Sequence, residues 1–251
     1  MAITNFPQVI ARLEQIIAWA KLNESPLGYF AALYYKMTLA VRDAVARGEF
    51  EDGPRMEQMD VLFACRYFDA FDAWQAGEKP TESWQVAFEA TKDEQVAVMQ
   101  HLMLGMNAHI NLDLGISAAS VRPRESISDI RNDFMRINQI IESLTNQTQD
   151  RLANIWLPFG WLDWLFRTED EGWIGFSIGV ARGASWKAAQ VLAFAPDKAV
   201  EQTMIAELDK QVAFFAKKVQ SSGVWLQCLL RLMRRWEQGS VREKIEVLER
   251  I

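Results

Sequence analysis

The residues best suited to chemistry lie in one stretch of the chain, residues 101–114, with the sequence HLMLGMNAHINLDL. This stretch holds both histidines of the 251-residue chain, His101 and His109, together with Asn107, Asn111 and Asp113. The residues between them are apolar and predict a buried helix. Because a buried polar group costs free energy unless it has a partner, so many on one helix predict a polar centre inside the core.

The spacing of the acidic residues and the histidine predicts where that centre forms. His109 and Asp113 are four residues apart and share a helix face, as do Asp129 and Asp133 on the next helix. A short connection near residues 120–124 predicts that the two helices are antiparallel neighbours. At a rise of about 1.5 Å per residue, Asp113 falls level with Asp129, and His109 with Asp133. Four potential ligands are therefore expected to converge between two helices.

An imidazole that converges with carboxylates suits a divalent metal such as zinc, manganese or iron. In this interpretation His109 and Asp113 hold the ion, and Asp129 or Asp133 completes the shell or acts as a general base. The chain lacks the His-Glu-x-x-His motif and the paired Glu-x-x-His of di-iron bundles. A hydrogen-bonded network in which His109 and Asp113 bridge neighbouring helices explains the same spacing without a metal.

Two arginines offer a metal-free alternative, because an arginine on an apolar helix needs a carboxylate or an anionic ligand. Arg182, a candidate catalytic residue, would neutralise the core charge if it faced Asp113 or Asp133. Arg66 either pairs with Asp69 along its own helix or reaches the polar centre. Arg66 is therefore also a candidate ligand-binding residue.

The remaining candidates for ligand binding are Asn107, Asn111 and His101. His101 precedes His109 by eight residues, which places it roughly 80° around the helix. It joins the same site only if that site is wide, and a half-buried histidine outside the site is the expected arrangement.

The elements that position these residues are predicted to be helices throughout. Apolar residues recur at three- to four-residue spacing, and no segment alternates long enough to predict a strand. Pro54 opens a third helix that ends near Gly77. Capping-box sequences at residues 91–94, 168–171 and 240–243 predict the starts of later helices, and the one at 91–94 is expected to open the histidine helix. No linker divides the chain. The sequence therefore predicts a single all-α domain over residues 1–251, a bundle of about ten helices.

Composition excludes several classes of protein. A net charge of −6 and a pI near 5.1 argue against a nucleic-acid surface. No apolar run is long enough to span a membrane, and no signal peptide is evident. Cys65 and Cys228 lie in apolar surroundings and are expected to be reduced, which favours a cytoplasmic protein. Nucleophile-elbow, P-loop and dinucleotide motifs are absent from the sequence.

Four segments resemble the signature of a bacterial and fungal family catalogued only as a domain of unknown function. They are HLMLGMNAHINLDL at 101–114, YFDAFDAW at 67–74, DFMRIN at 133–138 and ARGASW at 181–186. The resemblance implies a stand-alone helical protein. It supplies no activity, substrate or catalytic residue.

Three functional hypotheses follow from these residues. The first is a metal-assisted, hydrolase-like enzyme that acts on a small molecule through the buried His/Asp/Asn cluster. The second is a binding protein whose aromatic and Met-rich interior holds an apolar or anionic ligand without catalysis. The third is a purely structural polar core with no site.

Overall fold

The structure is a computed structural model, which describes residues 2–121, 124–140, 178–220, 231–232 and 234–250. The described residues form helices and turns and no β-strand, which confirms the all-α prediction. Within them, each helix is too short or too polar to cross a bilayer. The α-helices in chain order are α1 (Phe6–Leu22), α2 (Leu27–Ala46), α3 (Gly53–Gln75), α4 (Glu82–Glu89), α5 (Val98–Ala108), α6 (Leu114–Val121), α7 (131–140), α8 (Ile178–Ala193), α9 (Lys198–Gln220) and α10 (Val241–Arg250).

Two helix starts confirm the predictions from local sequence. Pro54 lies in the first turn of α3, where the Asp52 side chain accepts a hydrogen bond from the backbone N–H of Arg55 (3.0 Å). At α10, the Ser240 N–H donates to Glu243 (2.8 Å) and the Glu243 N–H donates to the Ser240 hydroxyl (3.1 Å). This reciprocal pair is the predicted capping box.

The predicted start of the histidine helix is wrong. Residues 91–94 form the end of a 3₁₀ helix and the start of a turn, and α5 begins later, at Val98. The Gln100 side chain accepts the Ala97 N–H (2.9 Å), which is half of a capping box, because Ala97 has no side-chain oxygen to accept a bond in return. The predicted box at 168–171 lies outside the described residues.

Carboxylates from distant parts of the chain bind backbone N–H groups at the starts of four helices. Those N–H groups have no partner inside their own helix, and the positive end of the helix dipole favours an anion there. Each such bond therefore fixes the start of one helix against another element. The pairs are Glu57 with Phe6 (2.9 Å), Asp133 with Glu51 and Asp52 (2.7 and 3.1 Å), Asp209 with Glu82 and Ser83 (2.6 and 2.9 Å), and Glu237 with Val98 (2.8 Å).

The chain from α5 to α6 occupies the centre of the described helices, which explains why it is apolar on all sides. α5 contacts α2, α4 and α9, while α6 contacts α3 and α8. Two close approaches depend on glycine. A Cβ at Gly105 would lie 2.6 Å from the Phe30 ring, and one at Gly115 would lie 3.0 Å from the Ser185 carbonyl oxygen. The Gly105 contact brings Phe30 of α2 against the histidine helix.

Candidate functional site

The candidate site lies at a π-helical turn, His109–Asp113, inserted between α5 and α6. Here the Leu114 N–H binds the His109 carbonyl, five residues back instead of four. Such turns are rare and occur frequently at functional sites. The His109 and Asp113 side chains remain neighbours within the turn, with 3.2 Å between Nδ1 and Oδ2, and both are buried. The predicted pairing of these two residues is confirmed.

Asp113 is held by donors from three different elements. Arg66 of α3 donates its Nε–H to Oδ1 (2.8 Å), and Trp84 of α4 donates its indole N–H to Oδ2 (2.8 Å). His109 approaches the same Oδ2. A carboxylate that is 1 % exposed requires such compensation, and a guanidinium supplies a full opposite charge. Arg66 thus reaches the polar centre. This is the second of the two arrangements that the sequence predicted for Arg66.

The Asp113 carboxylate fixes the hydrogen-bonding state of His109. Because a carboxylate only accepts hydrogen bonds, Nδ1 carries the proton that faces it. Burial lowers the pKa of His109, an effect that Asp113 opposes and Arg66 reinforces. The imidazole is therefore neutral at pH 7, and its Nε2 presents an unprotonated lone pair. Nε2 is buried and has no hydrogen-bond partner among the described residues.

Aromatic rings surround the His109 imidazole. Phe63 stacks on it with 3.5 Å between ring centroids, and Tyr34 meets it edge-on at 4.4 Å. Phe30, Trp84 and Tyr67 lie at 5.5, 6.0 and 6.2 Å. Phe63 presents its ring face, which carries negative electrostatic potential, so this one contact partly offsets the burial that lowers the pKa of His109.

Further buried polar atoms near Tyr34 also lack partners in the described part of the chain. They are the Tyr34 and Thr38 hydroxyls, one helical turn apart on α2, and the Oδ2 atom of Asp60 on α3. Burial raises the pKa of Tyr34 well above its usual value, and the charges of Asp60 and Asp113 raise it further. Each unsatisfied buried group costs about 1–3 kcal/mol.

Arg66 connects this buried centre to the surface. Its side chain is 27 % exposed, whereas the Asp113 side chain it binds is 1 % exposed. Burial raises the pKa of Asp69, one turn further along α3, while Arg66 lowers it. The guanidinium therefore carries positive charge from the solvent boundary to the carboxylate.

Asn107 and Asn111 bind each other and α9, away from the His109 ring. The Asn107 amide donates to the carbonyl of Val212 (3.1 Å), and the Asn111 amide donates to the Asn107 side-chain oxygen (2.9 Å). Two residues of α-helix correspond to a rotation of about 200°, so Asn107 and His109 face opposite sides. These asparagines secure α9 against the histidine helix.

The predicted convergence of Asp129 and Asp133 on His109 and Asp113 is wrong. Asp133 binds the N–H groups that precede α3 and the Arg55 guanidinium (3.2 Å), whereas Asp113 binds Arg66, about 16 Å further along α3. The Asp129 side chain is exposed. The prediction assumed two regular α-helices, but the π turn and a 3₁₀ segment, Arg124–Ile130, change both the rotation and the rise.

Arg182 is also separate from the polar centre. Its Nη2 donates to the Phe134 carbonyl (2.7 Å), its Nε donates to the Asn138 side chain, and its guanidinium lies 4.6 Å from the Phe134 ring centroid. Burial lowers its pKa to about 9. The predicted pairing with Asp113 or Asp133 is wrong, because carbonyl and amide oxygens of α7 satisfy this arginine.

A metal centre does not fit the residues around His109. In the described ranges no group of three or more His, Cys, Asp or Glu side chains could hold a metal ion. Both Asp113 oxygens already accept hydrogen bonds, and the Arg66 charge at 2.8 Å disfavours a cation. The metal-ligand roles predicted for His109 and Asp113 therefore lack the other donors they require.

The sequence analysis did not identify Trp84, Phe63 or Tyr34 as site residues. Trp84 precedes Asp113 by 29 residues, and no spacing rule links a tryptophan on one helix to a carboxylate on another. The only available signal was indirect, because a buried indole N–H requires a hydrogen-bond acceptor. His101, by contrast, lies near the start of α5 against Tyr29, with 5.7 Å between ring centroids, outside the His109 pair.

The sequence profile of one protein family matches residues 6–222. The chain belongs to DUF5995, a family of unknown function. The DUF5995 match includes the π turn and all three donors to Asp113, and it confirms the resemblance drawn from the histidine stretch. No curated protein and no solved structure matches the chain.

Proposed function

We propose that this DUF5995 protein is an enzyme that acts on a small molecule and uses His109 as its general base. The observation that carries the proposal is the unpartnered Nε2 lone pair of a neutral imidazole whose Nδ1–H faces a buried carboxylate. A base oriented by a third group is a recurring catalytic arrangement. Asp113 takes the orienting role here, and Arg66 and Trp84 hold Asp113.

The reaction class that suits this pair is hydrolysis. His109 Nε2 removes a proton from a water molecule as the water oxygen attacks an electrophilic carbon or phosphorus of the substrate. The resulting imidazolium is stabilised by Asp113 and by the stacked ring face of Phe63. The proton returns to the leaving group when the bond to it breaks. No metal is part of this scheme.

The proposal is tested with chromogenic probes, namely p-nitrophenyl acetate, p-nitrophenyl phosphate and p-nitroacetanilide. With a probe that the protein hydrolyses, His109→Gln is expected to lower kcat/KM by about 10²- to 10⁴-fold, the usual contribution of a general base. Asp113→Asn should give a similar loss. Asp129→Asn is the matched control, because that carboxylate is exposed and remote. Equal turnover in His109→Gln and the unaltered protein would overturn the proposal.

A binding protein without catalysis is the second candidate. It is favoured by the enclosure of His109, whose side chain is only 3 % exposed, and by the unpartnered hydroxyls near it. Native mass spectrometry of the purified protein tests this candidate. A bound small molecule that is released unchanged on denaturation, together with no turnover of any probe, would favour binding.

We also propose a cytoplasmic location. Cys65 is a free thiol, which suits a reducing compartment. The acidic net charge of −6 supports a small-molecule partner over a nucleic acid.

A further inference from the structure

A pocket lies beside the candidate site, at the junction of α2, α4 and α5. His101 and Thr91 are its polar residues, and Phe30, Trp84 and Phe88 are its aromatic ones. Counted out to its mouth, it has about 260 Å³ of empty space. The part that the centre of a water molecule can reach measures about 20 Å³, which suits one polar atom. The pocket therefore has the dimensions of a subsite for a fragment of a few atoms.

His101 is the buried histidine in the lining of this pocket. The residue is 7 % exposed, and its Nδ1 has no hydrogen-bond partner in the described ranges. Burial lowers the pKa of His101 to about 4, and the Arg234 and Lys244 charges lower it further, whereas Asp93 and a hydrogen bond to the Val96 backbone raise it. The imidazole is thus neutral at pH 7 and offers a hydrogen bond without a charge.

The positive charges that act on His101 are already paired with a carboxylate. Lys244 lies 3.3 Å from the Glu237 carboxylate, and Arg234 lies 3.7 Å from the same group. Among the described residues, the pocket lining contains no Asp, Glu, Lys or Arg. Because burying an unpaired ion is far more costly than burying a neutral polar group, this pocket selects against charged groups.

Two aromatic residues connect the pocket with the candidate base. Phe30 lines the pocket and contacts the His109 ring, with 5.5 Å between centroids. Trp84 lines the pocket and donates its indole N–H to Asp113. A group bound in the pocket is therefore separated from the His109–Asp113 pair by single side chains.

We infer that the pocket at His101 is a binding subsite for an uncharged polar group attached to a short apolar chain, such as an amide, ester or alcohol. The His101 imidazole hydrogen-bonds the polar atom, and the aromatic residues contact the apolar part. The inference rests on the proposed function and narrows it, since it assigns uncharged small molecules as the substrate class. His101 is then a specificity residue, distinct from the base His109.

The test uses three probes of similar size: propionamide, propionate and propylammonium. Binding is followed by NMR through the His101 imidazole signals and the Trp84 indole N–H, so that no turnover is required. Propionamide is expected to shift both signals in a saturable manner, while the two charged probes leave them unchanged. An absent saturable shift, or equal affinity for the charged probes, would overturn the inference.

Substitutions at His101 and Gly105 test whether His101 makes the hydrogen bond to propionamide. His101→Leu is expected to weaken propionamide binding about three- to tenfold, the usual value of one net hydrogen bond. His101→Gln, which keeps a donor and an acceptor, should recover most of it. Gly105→Ala should also weaken binding, because the added Cβ displaces Phe30. Unchanged binding in a folded His101→Leu variant would contradict the inference. If that variant does not fold, unchanged binding in Gly105→Ala would contradict it.

The two proposals fail in different ways. His109→Gln should abolish probe hydrolysis but keep propionamide binding, because His109 does not line the pocket. If hydrolysis depends on His109 while propionamide does not bind, the proposed function survives and the subsite does not. If propionamide binds while hydrolysis does not depend on His109, the subsite survives and the role of His109 as general base does not.

Discussion

Trp84 and His109 share one oxygen atom of Asp113. The Trp84 indole N–H lies 2.8 Å from Oδ2, and His109 Nδ1 lies 3.2 Å from it, while Arg66 occupies Oδ1. A short helix, α4, thereby helps to determine the orientation of the candidate base. The carboxylate joins α3, α4 and the π turn through hydrogen bonds that are all charge-assisted.

The first prediction is that Asp113→Asn lowers the free energy of unfolding by about 2–4 kcal/mol. The asparagine side chain has no charge to neutralise Arg66. Its NH₂ group must also face at least one of the N–H groups that donate to the carboxylate in the unaltered protein. The partial exposure of Arg66 keeps the loss below that of a fully buried pair. Urea denaturation at pH 7 measures the change.

Asp129→Asn provides the matched control for this prediction. The Asp129 side chain is exposed, and the bond that Arg55 makes to residue 129 uses the backbone oxygen. Its substitution should change stability by no more than about 0.5 kcal/mol. Similar losses in the two variants would show that Asp113 is not the centre of a buried network.

The second prediction concerns the cap that Asp209 provides to α4, the helix that carries Trp84. Its carboxylate accepts from the N–H groups of Glu82 and Ser83, and Asp209→Asn leaves one oxygen for the two donors. We expect a loss of about 1–2 kcal/mol in urea denaturation. Asp197→Asn is the control, because Asp197 is an exposed local cap at which Asn serves about as well. Equal losses would contradict the role of the distant cap.

Local sequence signals predicted the helices because their causes are local. Pro54 and the Ser240–Glu243 pair act within one turn of chain, so their effects survive whatever packs around them. The His109–Asp113 contact was predictable for the same reason. The start of α5 is the exception, since Gln100 accepts the Ala97 N–H there and no residue of the predicted box at 91–94 caps the helix.

The partners of the site residues were not predictable, because they depend on the register between helices. One π turn and one 3₁₀ segment were enough to separate Asp133 from Asp113, whose arginine partners, Arg55 and Arg66, lie about 16 Å apart along α3. The partner of Arg182 was not predictable either, because a backbone oxygen can accept a hydrogen bond from an arginine in place of a carboxylate. No pattern in the chain indicates which of these acceptors a folded arginine meets.

The third prediction concerns His101 and pH. In the unfolded chain its pKa is about 6.5, while burial lowers it to about 4 in the folded protein. Between these values the unfolded state binds more protons, so this residue destabilises the fold as the pH falls. Between pH 7 and pH 5 the effect amounts to about 2 kcal/mol. In His101→Gln that loss should disappear, measured by urea denaturation at both pH values; an unchanged pH profile would contradict a neutral buried imidazole.

The fourth prediction is that Asp60 acts in the opposite direction. Burial, with a smaller contribution from Glu57, raises the pKa of Asp60 to about 7, so that the folded state holds its proton at pH values where the unfolded state has lost it. Stability from this group therefore increases as the pH falls from 7 to 5, by about 2 kcal/mol, and largely offsets the loss from His101. Asp60→Asn removes the gain and should leave a protein whose stability declines steeply on acidification. The same urea titrations in Asp60→Asn and in the double variant with His101→Gln separate the two groups. If Asp60→Asn retains the pH profile of the unaltered protein, the Asp60 carboxyl is ionised at neutral pH, and a cation or ordered water must then satisfy it between α2 and α3.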